Sequence, residues 1–310
     1  MKMLWGIDLG GTKIEGVVLN PETPNLPLCR LRIDTQAQGG YAHIIERIAL
    51  LISQMSVQVG GVMPNVVGVG TPGAIDPISG KLKNSNTVCL NGQPLKMALE
   101  KRLGVALRMA NDANCFALAE AYLGAGRPES RAQEHIVFGV IMGTGVGGGL
   151  VVNGQVVAGC QGIAGEWGHN VIEPEGEKCY CGKKGCVETV ISGPALERFY
   201  ENLAGSRRSL KEISQRARIG QDAFAEKTLA RLTAYFGKAI ATVINIVDPH
   251  VIVLGGGVGN IDLLYSKGIA EAQKHVFNNR FETKIVKPTL GDSAGVFGAA
   301  LLCQDFRSAS

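Results

Sequence analysis

Aromatic residues are scarce in this chain, 5% of 310 positions with two tryptophans, and charged residues reach only 19%. With 45% hydrophobic residues, that balance excludes a disordered polyelectrolyte and leaves enough apolar mass for a large buried core. The formal net charge is only +4 and the basic residues are scattered, so the electrostatic footprint of a nucleic-acid-binding protein is missing. The apolar runs are interrupted, and no membrane-spanning helix is expected. A secretory signal is lacking too, because Asp8 breaks the first apolar run and Gly10, Gly11 and Lys13 follow it. Eight cysteines in so long a chain are too few for a disulfide scaffold. A cytoplasmic protein is the expectation.

What the chain has in excess is glycine, 42 residues without a collagen period. Glycine in that number points to tight turns and to loops whose backbone approaches a ligand. The length exceeds what one core usually serves, so two domains are expected.

Residues 3–7 and 14–19 read as strands joined by a Gly-rich turn. Apolar residues at 44, 45, 48, 51 and 52 give residues 41–55 the spacing of an amphipathic helix. A short buried strand at 66–69 ends in Gly70-Thr71-Pro72-Gly73, residues 94–103 read as a helix with Pro94 in its first turn, and Asn111-Asp112 can cap a helix through 123. The second half repeats the plan: a strand at 135–142, a glycine run at 143–149, and a hairpin about Asn153-Gly154. Helices are expected at 194–205, 222–247 and 295–303, and a strand at 251–254. This is a mixed α/β plan with a weak internal duplication.

Two glycine loops, Gly68/Gly70/Gly73 and Gly143/Gly145/Gly148, match G-x-G-x-x-G. A dinucleotide-binding loop must open a helix, whereas the first runs into a turn and the second into a hairpin. No P-loop signature occurs. What remains is a pair of hairpin tips, 8–13 and 143–149, carrying Thr12 and Thr144. Bare backbone amides at such tips can grip a polyphosphate from two sides.

In order and spacing, Gly6-Ile-Asp-Leu-Gly-Gly-Thr-Lys13, Gly143-Thr-Gly-Val-Gly-Gly-Gly149 and Leu254-Gly-Gly-Gly257 resemble the ATP-binding loops of the ROK family (repressors, open reading frames and sugar kinases). The resemblance covers essentially the whole chain. It implies a two-lobed α/β fold of the actin/hexokinase (ribonuclease H-like) type, with residues 1–112 plus 298–310 as a smaller lobe and 113–297 as a larger one. It also implies that Gly10, Gly11, Thr12 and Lys13 hold the β- and γ-phosphates of ATP, with Asp8 near Mg²⁺. Gly143, Thr144, Gly145 and Gly147 would take the other side, and Gly255, Gly256 and Gly257 would lie against the adenosine. Homodimers are common in the family.

His169, Cys179, Cys181 and Cys186 follow H-x₉-C-x-C-x₄-C, a donor set that suits tetrahedral structural zinc in a reducing compartment. With four protein ligands no position is left for a reactive water. The same four residues bind zinc in the family this chain resembles, and the segment 166–188 would be pinned by the metal.

Asp112 opens a helix, where Asp is a common cap. Beside two phosphate loops it also supplies what phosphoryl transfer to an alcohol needs, a carboxylate within reach of the hydroxyl. In the ROK kinases the Asp of Asn111-Asp112-Ala113-Asn114 is that base, and Asn111 would bond the sugar. Glu166 and Glu188 are either solvated loop charges or acceptors for vicinal sugar hydroxyls. The family places its sugar-binding acids there, lets His169 touch the sugar while ligating zinc, and puts segments like those of Gly73 and Asn86 in the remaining wall.

Residues 83–87, 90–94, 164–170 and 179–189 are similar to those of bacterial ROK fructokinases (manno-fructokinases), which implies fructose as substrate with mannose as a second. N-acetylglucosamine and glucose kinases of the family share the same machinery and are the alternative. Sugar-responsive repressors carry a DNA-binding segment ahead of the first loop, which here begins at Gly6. With Asp112 and the glycine loops retained, an enzyme is expected rather than a silent sugar sensor.

Overall fold

The computed structural model describes residues 3–129 and 134–304. Residues 1–2 and 305–310, assigned above to the smaller lobe, lie outside the described residues.

The chain starts with a hairpin, β1 (Leu4–Leu9) and β2 (Lys13–Leu19), to which β3 (Pro27–Asp34) adds antiparallel. Then come α1 (Gly40–Gln58), β4 (Val66–Thr71), the short pair β5 (Ala74–Ile75) and β6 (Leu82–Lys83), α2 (Leu95–Leu103), β7 (Ala106–Asn111) and α3 (Asp112–Tyr122). The sheet runs β3-β2-β1-β4-β7, with β4 parallel to β1 and β7 parallel to β4. The stripe on α1 is buried at Ile44, Ile48, Leu51, Ile52 and Met55, where it packs with Trp5, Ile7, Leu9 and Ile14 from the sheet. Pro94 is the N-cap of α2 and not part of its first turn.

Past residue 134 the chain forms β8 (Ile136–Met142), β9 (Val146–Val152) and β10 (Gln155–Val156). Residues 136–165 carry no Asp, Glu, Lys or Arg, but they form strands because glycine and an Asn-Gly turn interrupt them. Asn153 and Gly154 both have positive φ (51° and 74°), the tight turn the dipeptide favours. The chain goes on with α4 (Val187–Ile191), α5 (Gly193–Ala204), α6 (Leu210–Arg218), α7 (Ala223–Val247), β11 (Val251–Gly255), α8 (Gly256–Gly259), α9 (Lys267–Gln273) and β12 (Lys284–Val286). The second sheet runs β10-β9-β8-β11-β12, with β8, β11 and β12 parallel. Finally α10 (Ala294–Leu301) packs against α3 and β1.

Two compact units result. Of the described residues, 3–129, 149–164 and 289–304 form the first, 134–148 and 165–288 the second. No helix among the described residues is long and apolar enough to cross a membrane.

The expected glycine tip at 143–149 is shorter than the sequence suggested, because β9 already begins at Val146. Gly148 and Gly149 belong to that strand and answer to packing. A Cβ on Gly148 would come within 2.8 Å of Phe138 and Trp167, and one on Gly149 within 2.5 Å of the Ala113 carbonyl. Strands β3 and β12 and helices α6 and α9 were not anticipated.

Candidate active site

In the first unit, the tip at residues 10–12 is held from below. Gly10 N–H donates to Lys13 O at 2.9 Å, Thr35 N–H donates to Thr12 O at 2.9 Å, and the Thr35 hydroxyl donates to Gly10 O at 2.7 Å. Thr35 is fully buried, so this support is part of the core. Under Gly11 lies the hydroxyl of Thr87, buried and without a protein partner. An unmet buried hydroxyl costs roughly 1–3 kcal/mol, so its place beside a glycine loop suits a site completed by a polar ligand.

Asp8 is the penultimate residue of β1, opposite Glu15, and a Cβ on Gly295 in the first turn of α10 would stand 2.9 Å from its Oδ2. Burial, then the charges of Asp112 and Glu15, push its carboxyl from 3.8 up to about 6. Lys13 and Arg32 oppose that rise without cancelling it. Carboxylates that repel each other in a water-poor place form a site where a cation is at home.

At the junction of β7 and α3 the cap falls to Asn111, whose Oδ1 accepts the Asn114 amide at 2.8 Å. Asp112 is therefore not spent on capping. Its Oδ1 accepts the next amide, Ala113, at 2.8 Å. The residue touches solvent, yet the volume around its carboxyl is mostly protein, and loss of hydration raises its pKa against the pull of that amide. A carboxylate that holds a proton more readily than usual and stays accessible can take one from an alcohol.

Gly73 packs against the backbone of Lys83 and Ser85, which brings it beside the segment of exposed Asn86. Asn111 also lines a cavity of about 550 Å³ with Ile75, Asn114 and Gln155.

In the second unit, Gly143, Thr144 and Gly257 line one cavity of about 880 Å³, together with Pro194, Leu210 and Ile261. That volume falls in the range of ligand pockets. Gly193 N–H donates to Gly143 O at 2.8 Å, fixing the tip to the start of α5, and the Gly256 turn packs on the backbone of Met142. Gly147 lies inside β9 and its carbonyl accepts the Trp167 indole N–H at 2.9 Å. Gly255 closes β11. The Val146 amide just past the tip donates to Glu188 Oε2 at 2.9 Å.

One donor atom from each of His169, Cys179, Cys181 and Cys186 lies within 4.8 Å of the others. Nδ1 of His169 is 3.5 Å from Cys179 Sγ, and Cys181 Sγ is 3.5 Å from Cys186 Sγ. Burial pushes the Cys186 thiol up to about 12, whereas the Lys183 amide holds the Cys181 thiol below its ordinary value. Donor types, number and closeness fit tetrahedral zinc. His169 Nε2 lies 3.0 Å from the hydroxyl of Tyr180, on which the charges of Glu188 and Glu166 also bear.

Sequence reasoning missed Thr35, Thr87, Tyr180 and the Val146 amide. Thr87 and Tyr180 stood inside motifs already singled out, Val146 acts through its backbone amide, and the Thr35 hydroxyl reaches Gly10 only once the chain has folded.

Comparison with known proteins agrees with this arrangement. The ROK family model matches residues 4–306. The chain belongs to the ROK family. It is 36% identical over 310 residues to the N-acetyl-D-glucosamine kinase of Vibrio cholerae, covering 97% of this chain and 99% of that one. Among solved structures it is similar to the ROK hexokinase from Thermus thermophilus, with a TM-score of 0.84, 31% identity and 97% of both chains covered. The ROK family glucokinase from Streptomyces griseus, in complex with glucose and AMPPNP, has a TM-score of 0.75 at 28% identity and covers 96% of this chain and 98% of its own. The fold is thus the α/β actin/hexokinase type expected from the glycine loops, and the His/Cys cluster matches the zinc site that this ROK resemblance implied.

Proposed function

We propose that this chain is an ATP-dependent hexose kinase. The observation that carries the reading is Asp112, relieved of capping by Asn111, open to solvent and raised in pKa, in a chain matched by the ROK model from end to end. A sugar hydroxyl oxygen attacks the γ-phosphorus of ATP, the bond from that phosphorus to the β,γ-bridging oxygen breaks, and ADP leaves with that oxygen. The hydroxyl proton passes to Asp112 late, since the transition state is loose. Backbone amides at 10–12 and 143–145 take up charge on the phosphoryl oxygens. Asp8 would hold magnesium, which when bound would neutralise phosphate charge. Zinc on His169, Cys179, Cys181 and Cys186 supplies rigidity to the segment that carries Glu166 and Glu188, which would accept hydroxyls of the sugar.

The Vibrio cholerae relative, which spans nearly the whole chain, is named an N-acetyl-D-glucosamine kinase, and a related structure holds glucose. N-acetylglucosamine is therefore the first substrate to expect, ahead of the fructose suggested by the sequence. Fructose stays as a second reading only on residues 83–87, 90–94, 164–170 and 179–189. A coupled ADP-release assay across N-acetylglucosamine, glucose, mannose and fructose ranks them. Fructose at the head of that ranking would restore the second reading, and no sugar-dependent release at all would end both.

A further inference from the structure

The cavity of about 880 Å³ in the second unit holds an acidic residue that the proposed reaction does not use. Glu197 sits in α5, one turn past Gly193, and lines the same space as Gly143, Thr144 and Gly257. Its Oε1 accepts the Leu210 amide, the first of α6, at 2.8 Å. The carboxylate is thereby fixed between two helices. Among the described residues no hydrogen bond or ion pair engages its other oxygen. A half-buried, anchored carboxylate with one oxygen open is an acceptor waiting for a donor.

Two glycines of that cavity have no packing reason to be glycine. A Cβ on Gly143 or on Gly257 would meet nothing within 4 Å. Both leave main chain bare at the cavity wall, as close approach of a phosphate requires. Gly193 N–H donates to Gly143 O at 2.8 Å, which ties the start of α5 to that tip. Four residues of helix rise about 6 Å, so Glu197 stands one turn from the tip, on the scale of the step from a nucleotide's phosphates to its ribose. Pro194, Val258 and Ile261 give the same cavity an apolar wall for a base. Of the other polar residues there, Ser209 is engaged in the capping box of α6, and Lys211 is a cation that suits phosphate oxygens rather than hydroxyl protons.

We infer that Glu197 is a specificity-determining residue for the phosphoryl donor: its open oxygen accepts the 2′ and 3′ hydroxyls of the nucleotide's ribose. The inference rests on the proposed binding of ATP in this cavity. Carboxylates hold ribose hydroxyls in dinucleotide-binding folds by the same chemistry, because a charged acceptor bonds more strongly than a neutral one. A nucleotide without those hydroxyls loses the bond and also strips water from a charge to which it gives nothing in return.

Calorimetric titration with ADP and with 2′,3′-dideoxy-ADP, in magnesium and without sugar, tests this on wild type, Glu197→Ala and Glu197→Gln. Wild type binds ADP about tenfold or more tightly than the dideoxy analogue, from the worth of a hydrogen bond to a charged group. Glu197→Ala brings the two within about twofold by weakening ADP. Glu197→Gln keeps an acceptor for Leu210, falls between, and carries the test should the alanine variant not fold. Loss of a merely structural contact would weaken both nucleotides alike, so a ratio unchanged from wild type in either variant overturns the inference. Equal binding of the two nucleotides by wild type also overturns it and leaves the kinase reading standing. If wild type binds no ADP at all, the nucleotide reading of the cavity falls and takes the inference with it.

Discussion

Glu188 Oε2 accepts the Val146 amide at 2.9 Å, and a Cβ on Gly145 would lie 2.6 Å from that same oxygen. A proposed sugar-binding acid is thus hung from a proposed phosphate loop. The loop is glycine at 145 because the carboxylate needs the room. Glu188→Gln keeps an acceptor for Val146 and loses only charge, while Glu188→Ala loses both. Steady-state kinetics should show a raised KM for sugar in both variants, and a raised KM for ATP only in Glu188→Ala. A normal ATP KM in Glu188→Ala would show that the bond does not hold the loop.

Asp8 binds its proton more tightly in the folded chain, at about 6 against 3.8. Between those values the folded state carries more protons than the unfolded one, so Asp8 favours folding below about pH 4 and that benefit is lost as pH rises through about 6. Asp8→Asn removes the penalty of the buried charge. Without magnesium or nucleotide, it should melt a few degrees higher than wild type at pH 8 and show a smaller difference at pH 4, while turnover with MgATP falls. A lower melting temperature at pH 8 would count against this account of the carboxylate.

Glu173 falls between His169 and Cys179 in the sequence, and Arg231 of α7 holds it by two bonds of 2.9 and 2.7 Å, with the Tyr235 hydroxyl adding a third at 2.7 Å. The guanidinium also faces the rings of Phe199 and Tyr235 at 4.7 and 4.6 Å. Arg231→Ala should cost about 2 kcal/mol in urea unfolding and speed zinc removal by a chelator. Zinc release at the wild-type rate would mean that the metal segment stands without this clamp.

The parts legible in the sequence were those written in local spacing. The two hairpins, the α1 stripe and the His/Cys set all repeat at intervals their geometry demands. Helix α6 escaped because Ile213 is its one buried residue, although Ser209 and Glu212 form the capping box that could have revealed it. Strand β3 escaped because it alternates at an exposed edge, with Arg30 and Arg32 turned to Glu15. The glycines at 148 and 149 misled, because close packing and ligand contact select the same residue. The bond from His169 to Tyr180 was out of reach, since it exists only once the metal segment has folded back on itself.

The role of Asp112 can be isolated, because Asn111 carries the cap and the helix should survive its loss. Asp112→Asn should lower kcat by about a thousandfold, the scale of a lost general base, with the sugar dissociation constant from calorimetry within a few fold of wild type. Turnover within tenfold of wild type in that variant would contradict the proposal that this carboxylate takes the proton.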